Sequence, residues 1–131
     1  MQQLLYRSIA ADGLGSDAVF EIVETSARNN PAREVTGFLV RSGDVFLQLV
    51  EGPTASLDEL LAVLAHDPRH HSIEVLVREE INQRSFPRWR MERVGTDQPS
   101  VAALLERLDA AKVVPAAAAH IRGFFDARKA A

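Results

Sequence analysis

Residues 35–52 read VTGFLVRSGDVFLQLVEG and decide the fold, because two apolar runs are joined there by a short polar segment that contains glycine. Such a pattern predicts a β-hairpin. Alternate residues of its second strand face opposite ways: Phe46, Gln48 and Val50 on one face, Val45, Leu47 and Leu49 on the other. Apart from Gln48, both faces are apolar. We therefore expect this strand to be covered on both sides. Gln48 then needs a hydrogen-bond partner, since burying an unpaired amide costs about 1–3 kcal/mol.

The composition fits one globular domain and excludes several kinds of site. The chain has 131 residues, of which 47% are hydrophobic and 25% charged, with a formal net charge of -3. The absence of cysteine excludes disulfides, thiol nucleophiles and cysteine-ligated metals. The charge gives no general basic field for nucleic acid. Without a signal-peptide pattern or a long apolar run, we expect a cytoplasmic protein with no membrane partner.

The segments around the hairpin predict two helices and three more strands. Residues 2–10 read as a strand, and residues 16–29 as a helix that ends before Pro31. A second helix follows Gly52-Pro53, with Ser56 and Glu59 as a capping box. Further strands are predicted at 72–78, with Ile73, Val75 and Val77 inward, and at 86–94, with Trp89 and Met91 inward. The order β-α-β-β-α-β-β predicts an α+β, ferredoxin-like sheet with an added strand and two helices on one face.

The C-terminal part predicts a cover for the other face of this sheet. Residues 101–114 and the segment that begins at Pro115 both carry apolar residues at helical spacing. We expect residues 1–95 to form the domain and residues 96–131 a helical extension, packed on the sheet or at a dimer interface. Surplus apolar surface would support a homodimer or a larger homo-oligomer.

One predicted sheet face combines apolar walls with a few amide and hydroxyl groups. Tyr6, Ser8 and Gln48 share it with Asn30 at the end of the first helix, and the walls are Ile9, Ile22, Val23 and Phe46. Such a cleft suits a flat heteroaromatic ligand, because amides offer both donors and acceptors. The alternative is an ordinary core in which the tyrosine and the serine bond to backbone groups. The residue pattern leaves both interpretations open.

Two charged clusters allow other interpretations. Residues 66–71 read HDPRHH, which fits a solvated helix end, a phosphate contact or, with no clear further ligand, a metal site. Four arginines surround Trp89 at positions 84, 88, 90 and 93. They could bind nucleic acid, but aromatic residues are sparse and the net charge is negative, so we expect no nucleic-acid partner.

Six segments, in order, resemble the BLUF domain, a bacterial blue-light receptor domain that uses FAD. They are LYRS at 5–8, IVETSARNN at 22–30, VTG at 35–37, FLQLVEG at 46–52, DPRH at 67–70 and FPRWRM at 86–91. The resemblance covers about residues 1–95. Val63 and Pro68 depart from the pattern of some members, whereas Tyr6, Asn30 and Gln48 match it.

The resemblance implies a function and a set of site residues. Tyr6 would give an electron and a proton to excited flavin, Gln48 would switch its hydrogen bonds, and Asn30 would bond the flavin's carbonyl edge. The implied cofactor is FAD, with FMN also possible. The full set of expected cofactor contacts is Tyr6, Ser8, Ile22, Asn29, Asn30, Phe46, Gln48, Asp67, Arg69 and His70. Trp89 and Met91 match residues that pass the signal on.

We therefore expect a short, stand-alone photoreceptor that is not an enzyme and that signals to a downstream protein or changes its oligomeric state. Two other classes remain as alternatives. An acyl-phosphate hydrolase can share this fold, but Arg7 faces away from Tyr6 and no glycine-rich phosphate cradle stands beside an arginine. A dimerising adaptor would have the same fold without a cofactor.

Overall fold

The computed structural model describes residues 1–10, 35–66, 70–89 and 92–130. The predicted first helix, at 16–29, lies outside these residues. The elements, labelled in chain order, are β1 (Gln2–Ala10), β2 (Thr36–Ser42), β3 (Val45–Gly52), α1 (Thr54–Ala65), β4 (His70–Glu80), β5 (Glu92–Val94), α2 (Gln98–Ala110) and α3 (Pro115–Ala130).

The strands form one five-stranded sheet in the order β4-β1-β3-β2-β5. Strands β1 and β3, β1 and β4, and β2 and β3 pair antiparallel, while β5 is parallel to β2. The first four strands have the order of a ferredoxin-like sheet, and β5 is the added strand. This confirms the predicted α+β fold.

Strands β2 and β3 form the β-hairpin that the sequence of residues 35–52 predicts. Ser42 pairs with Val45, so Gly43 and Asp44 form a two-residue turn, and Gly43 has a φ of 59°. Glycine adopts this left-handed conformation at little cost, which explains its place in the turn. The hairpin puts β3 between β1 and β2 in the middle of the sheet.

Both faces of β3 are covered, as its two apolar sets predict. On the first face, Leu4, Tyr6 and Val50 pack with leucines of α1 at positions 57, 60 and 64. On the second face, a larger cluster joins Leu5, Leu47 and Leu49 to buried residues of α2 and α3, namely Leu104, Leu108, Ala117, Ile121 and Phe125. The C-terminal helices therefore pack on the sheet, opposite α1. The division into domains at residue 95 stays a prediction.

Three local predictions were wrong. The last strand covers Glu92–Val94 and not 86–94, because Phe86 and Trp89 lie in a turn in which Trp89 N donates to Phe86 O. Helix α1 begins at Thr54, since the amides of Ser56 and Leu57 already donate to Pro53 O, so the predicted capping box is not at the helix start.

The third error concerns the inward stripe of β4. The pairing of β1 with β4 shifts between Leu5, which faces Val77, and Tyr6, which faces Val75. Such a bulge reverses the side-chain alternation. Val77 is consequently buried in the second-face cluster, while Val75 is 47% exposed and Ile73 packs on the first face.

Candidate functional site

Tyr6 and Gln48 are direct partners across the antiparallel pair of β1 and β3. Both are buried, with 1% and 2% of their surface exposed. The Tyr6 hydroxyl donates a hydrogen bond to Gln48 Oε1. The sequence predicted that these two side chains converge, and the two strands bring them into direct contact. The hydrogen-bond partner of the Gln48 side-chain oxygen is therefore Tyr6.

The other end of the Gln48 amide is unused. Gln48 Nε2 is buried and has no hydrogen-bond partner among the residues that the structure describes. A buried donor without an acceptor costs about 1–3 kcal/mol, so such a group calls for a partner. The carbonyl edge of a heteroaromatic ring would supply the acceptor, and the donor present here therefore fits a flavin.

Burial also controls the protonation of Tyr6. Removal from water raises the pKa of the Tyr6 phenol far above its usual value of about 10. The phenol therefore stays neutral throughout the range in which proteins work and keeps the proton that it shares with Gln48 Oε1. Its proton can leave readily only if the ring is first oxidised, since oxidation makes a phenol strongly acidic.

Ser8 and Phe46 form the next cross-strand pair on the same face. They are 2% and 1% exposed, and the Arg41 guanidinium lies 5.4 Å from the centre of the Phe46 ring. The structure thus brings four expected contacts, Tyr6, Ser8, Phe46 and Gln48, onto one patch of two strands. Ile9 does not belong to it, because strand alternation puts Ile9 on the opposite face, where it is 37% exposed.

Most of the other residues expected at the site belong to segments outside the described part of the chain. Ile22, Asn29, Asn30, Asp67 and Arg69 lie outside the described residues, as does Met91. His70 is the first residue of β4, and the structure describes its backbone position only. Their proposed roles stay predictions from the resemblance.

Trp89 lies away from the Tyr6 patch. Its ring is half-buried against Phe86 and Phe38, with centroids 4.9 and 6.1 Å apart, in the cluster on the second sheet face. The Trp89 carbonyl accepts a hydrogen bond from Gly37 N at 2.7 Å. The backbone of the turn is therefore tied to β2, next to the strand that carries Gln48.

Sequence reasoning missed one buried charged group. Glu51 is 0% exposed, and its carboxylate accepts hydrogen bonds from Gln3 Nε2 at 3.0 Å, Ser85 N at 2.8 Å and Phe86 N at 2.6 Å. The sequence did indicate that Glu51 is buried, because alternation along β3 puts it on the same face as Leu47 and Leu49. A carboxylate at an inward position needs strong donors.

The described residues contain no group of three or more metal-ligating side chains. No helix in this part of the chain is both long and apolar enough to cross a membrane. The buried Gln48 Nε2, without a partner among the described residues, suits a ligand that offers a hydrogen-bond acceptor.

Comparisons with known proteins agree on one family. Residues 1–92 match the model of the BLUF family, described as sensors of blue-light using FAD. The blue light- and temperature-regulated antirepressor BluF of Escherichia coli (strain K12) is 34% identical over 89 residues, which are 68% of this chain and 22% of that protein. The photoactivated adenylate cyclase subunit alpha of Euglena gracilis is 29% identical over 94 residues, 70% of this chain and 9% of that one.

Solved structures give the same result. The dark-state structure of BlrB, a BLUF protein, superposes with a TM-score of 0.70 at 32% identity and covers 96% of both chains. Klebsiella pneumoniae BlrP1 with FMN and cyclic diGMP has a TM-score of 0.67 at 26% identity, over 82% of this chain and 29% of that one. The chain spans less than a quarter of the two curated relatives described above.

Proposed function

Because the chain belongs to the BLUF family, the sensors of blue light that use FAD, we propose that Tyr6 and Gln48 carry the primary light-driven event of a photoreceptor. The observation that carries this proposal is the buried pair itself: a neutral phenol bonded to Gln48 Oε1, beside a buried Nε2 without an acceptor among the described residues. A sensor that works without a covalent adduct also suits a chain with no cysteine.

The proposed cofactor is FAD, which the family's description names, and FMN occurs in one related structure. Gln48 Nε2 would hold an acceptor on the flavin ring, and Phe46 and Ser8 would line the same patch. Asn30, Asn29, Ile22, Asp67, Arg69 and His70 complete the proposed set, on the strength of the resemblance. Arginine and histidine suit the phosphate end of the cofactor, because they supply charged donors.

The chain's own groups move one proton in this proposal. When bound and excited by blue light, flavin is a strong oxidant that takes up an electron and a proton. Tyr6 is the chain's sole tyrosine, and the sole tryptophan, Trp89, packs on the other sheet face. Tyr6 is thus the donor, and its acidic oxidised phenol releases the proton toward Gln48 Oε1. The Gln48 amide, with an acceptor at one end and a donor at the other, relays it.

Gln48 then holds the signal as an altered hydrogen-bond pattern. If its amide rotates or tautomerises, the donor and acceptor positions facing Tyr6 and the ring change. One rearranged hydrogen bond is worth about 1 kcal/mol. That amount permits thermal reversal in darkness, and it limits the shift of an output equilibrium to about fivefold.

The proposed output is a change in a downstream protein or in oligomeric state. One relative is named as an antirepressor and another as part of an adenylate cyclase. The family's description is that of a sensor. We therefore place the chain's function in sensing, with its effect exerted on a partner protein.

Absorption spectra in darkness and after blue light test the proposal. The wild-type protein should be yellow and show a small, reversible red shift. Gln48→Leu should retain flavin without the shift, because leucine cannot exchange hydrogen bonds. Gln83→Leu, at an exposed glutamine, is the matched control and should behave as wild type. A normal shift in Gln48→Leu would refute the role of the amide, and a protein that cannot be loaded with flavin would point to an adaptor.

A further inference from the structure

The Glu51 carboxylate, three residues after Gln48 on β3, joins parts of the chain that are distant in sequence. Glu51 Oε2 accepts from Gln3 Nε2 and Ser85 N, and Oε1 accepts from Phe86 N, at 3.0, 2.8 and 2.6 Å. Arg84 Nη1 also donates to the Glu51 backbone oxygen at 2.8 Å. Hydrogen bonds to a buried carboxylate are short and strong, so these donors are held firmly in place.

One arm of this network leads to Trp89. Phe86, whose amide is held by Glu51, packs against Trp89 with the two rings tilted by 36°, and Trp89 N donates to Phe86 O at 3.3 Å. Arg107 of α2 lies 5.9 Å from the Phe86 ring centre and 6.0 Å from that of Trp89. The position of the aromatic pair on the second face thus depends on the backbone amides that Glu51 binds.

A second arm leads to the last helix. The Gln3 side chain is fully buried; its Nε2 donates to Glu51, and its Oε1 accepts from Val114 N at 3.1 Å. Val114 directly precedes α3, which begins at Pro115. The same amide therefore connects the carboxylate on β3 with the start of the C-terminal helix.

We propose that Glu51 is a positioning residue that couples the Gln48 strand to the Trp89 turn and to the start of α3. This inference rests on the proposed function. Gln48 and Glu51 lie on opposite faces of β3, so a displacement of this one strand transmits a change from the first face to the second. Because the Glu51 carboxylate holds three donors at once, its movement shifts Ser85, Phe86 and Gln3 together.

The chain's sole tryptophan gives a direct readout of the first arm. Fluorotryptophan incorporated into the flavin-loaded protein yields one fluorine resonance, at Trp89. In wild type, illumination should produce both the flavin red shift and a displacement of this resonance. In Glu51→Gln the red shift should remain and the displacement should be lost, because an amide NH2 then faces a backbone N–H and one bond cannot form. Glu74→Gln, at an exposed ion pair with Arg7, is the matched control and should behave as wild type.

A separate variant tests the connection through Gln3 to the start of α3. Gln3→Met keeps the length of the side chain but removes its donor and acceptor. In that protein, light should still displace the Trp89 resonance, while the light-dependent change in hydrogen exchange of the Val114 amide, expected in wild type, should disappear. A Val114 response that survives in Gln3→Met would overturn the arm to α3.

Different experimental results would overturn the coupling through Glu51 and the proposed function. A wild-type protein without a red shift would overturn the proposed function. A red shift in Glu51→Gln together with an undiminished Trp89 displacement would overturn the coupling alone. If Glu51→Gln does not fold, hydrogen exchange in wild type decides: the Ser85 and Phe86 amides should respond to light, while the Val101 amide, bonded to Asp97 O, should not. Unresponsive Ser85 and Phe86 amides in a protein with a normal red shift would overturn the coupling.

Discussion

Strong alkali should destabilise this protein through Tyr6, because the folded chain holds the phenol neutral and the unfolded chain does not. Burial raises the pKa of Tyr6 well above the value of about 10 that it has in an unfolded chain. Below pH 10 both states keep the proton, and Tyr6 adds no pH dependence. Above pH 10 the unfolded state binds fewer protons, so the free energy of unfolding falls by about 1.4 kcal/mol per pH unit. The loss reaches about 2 kcal/mol at pH 11.5.

The comparison with Tyr6→Phe isolates this effect. Urea unfolding of both flavin-loaded proteins between pH 8 and 11.5 removes the contribution of lysines and arginines, which the two share. The wild type should lose stability relative to Tyr6→Phe along the slope given above. Isotope-labelled tyrosine adds a direct view, since one tyrosine gives one resonance. Equal slopes in the two proteins, or a phenolate that forms near pH 10 in the folded state, would refute the buried-phenol argument.

Three further variants test the photocycle, flavin retention and the backbone at Gly37, and of these the Asn30 variant rests on the resemblance. Tyr6→Phe should retain flavin and lose the ordinary photocycle in flash spectroscopy, because the phenylalanine has no phenol to oxidise; an unchanged photocycle would remove Tyr6 from its role. Asn30→Ala should lower the flavin occupancy measured by absorbance after dialysis, and unchanged occupancy would mean that the ring is held elsewhere. Gly37→Ala should cost about 3 kcal/mol or more in urea unfolding, since its φ is 146° and a Cβ would lie 1.8 Å from Leu49 O. Gly43→Ala, at φ 59° with no described atom within 4 Å, is the control and should cost about 1–2 kcal/mol; equal losses would contradict the account.

The architecture could be predicted because its main signals are local. The turn at Gly43 and the two apolar sets of β3 determine the hairpin and its double cover. The apolar stripes of α2 and α3 then provide the cover that the second face needs. The convergence of Tyr6 with Gln48 could be anticipated because their strands are usually adjacent in this fold and both residues were predicted on the same face, while the register that puts them directly opposite each other appears only in the structure.

Two of the errors arose where distant contacts override the local pattern. The segment before β5 looks like a strand, but Glu51 binds the amides of Ser85 and Phe86 and holds a turn there. Alternation along β4 fails at a bulge that only the pairing with β1 reveals. The network around Glu51 could not be derived for the same reason, since its donors are 34, 35 and 48 positions away in sequence.

The most direct test of the Tyr6–Gln48 switch is a light-minus-dark infrared spectrum with and without ring-labelled tyrosine. The chain has a single tyrosine, so the label reports on Tyr6 alone. The account predicts that illumination produces difference bands that move with the label and accompany the red shift. A normal red shift whose infrared difference spectrum is unaffected by the label would contradict it, because the switch would then operate without any change at Tyr6.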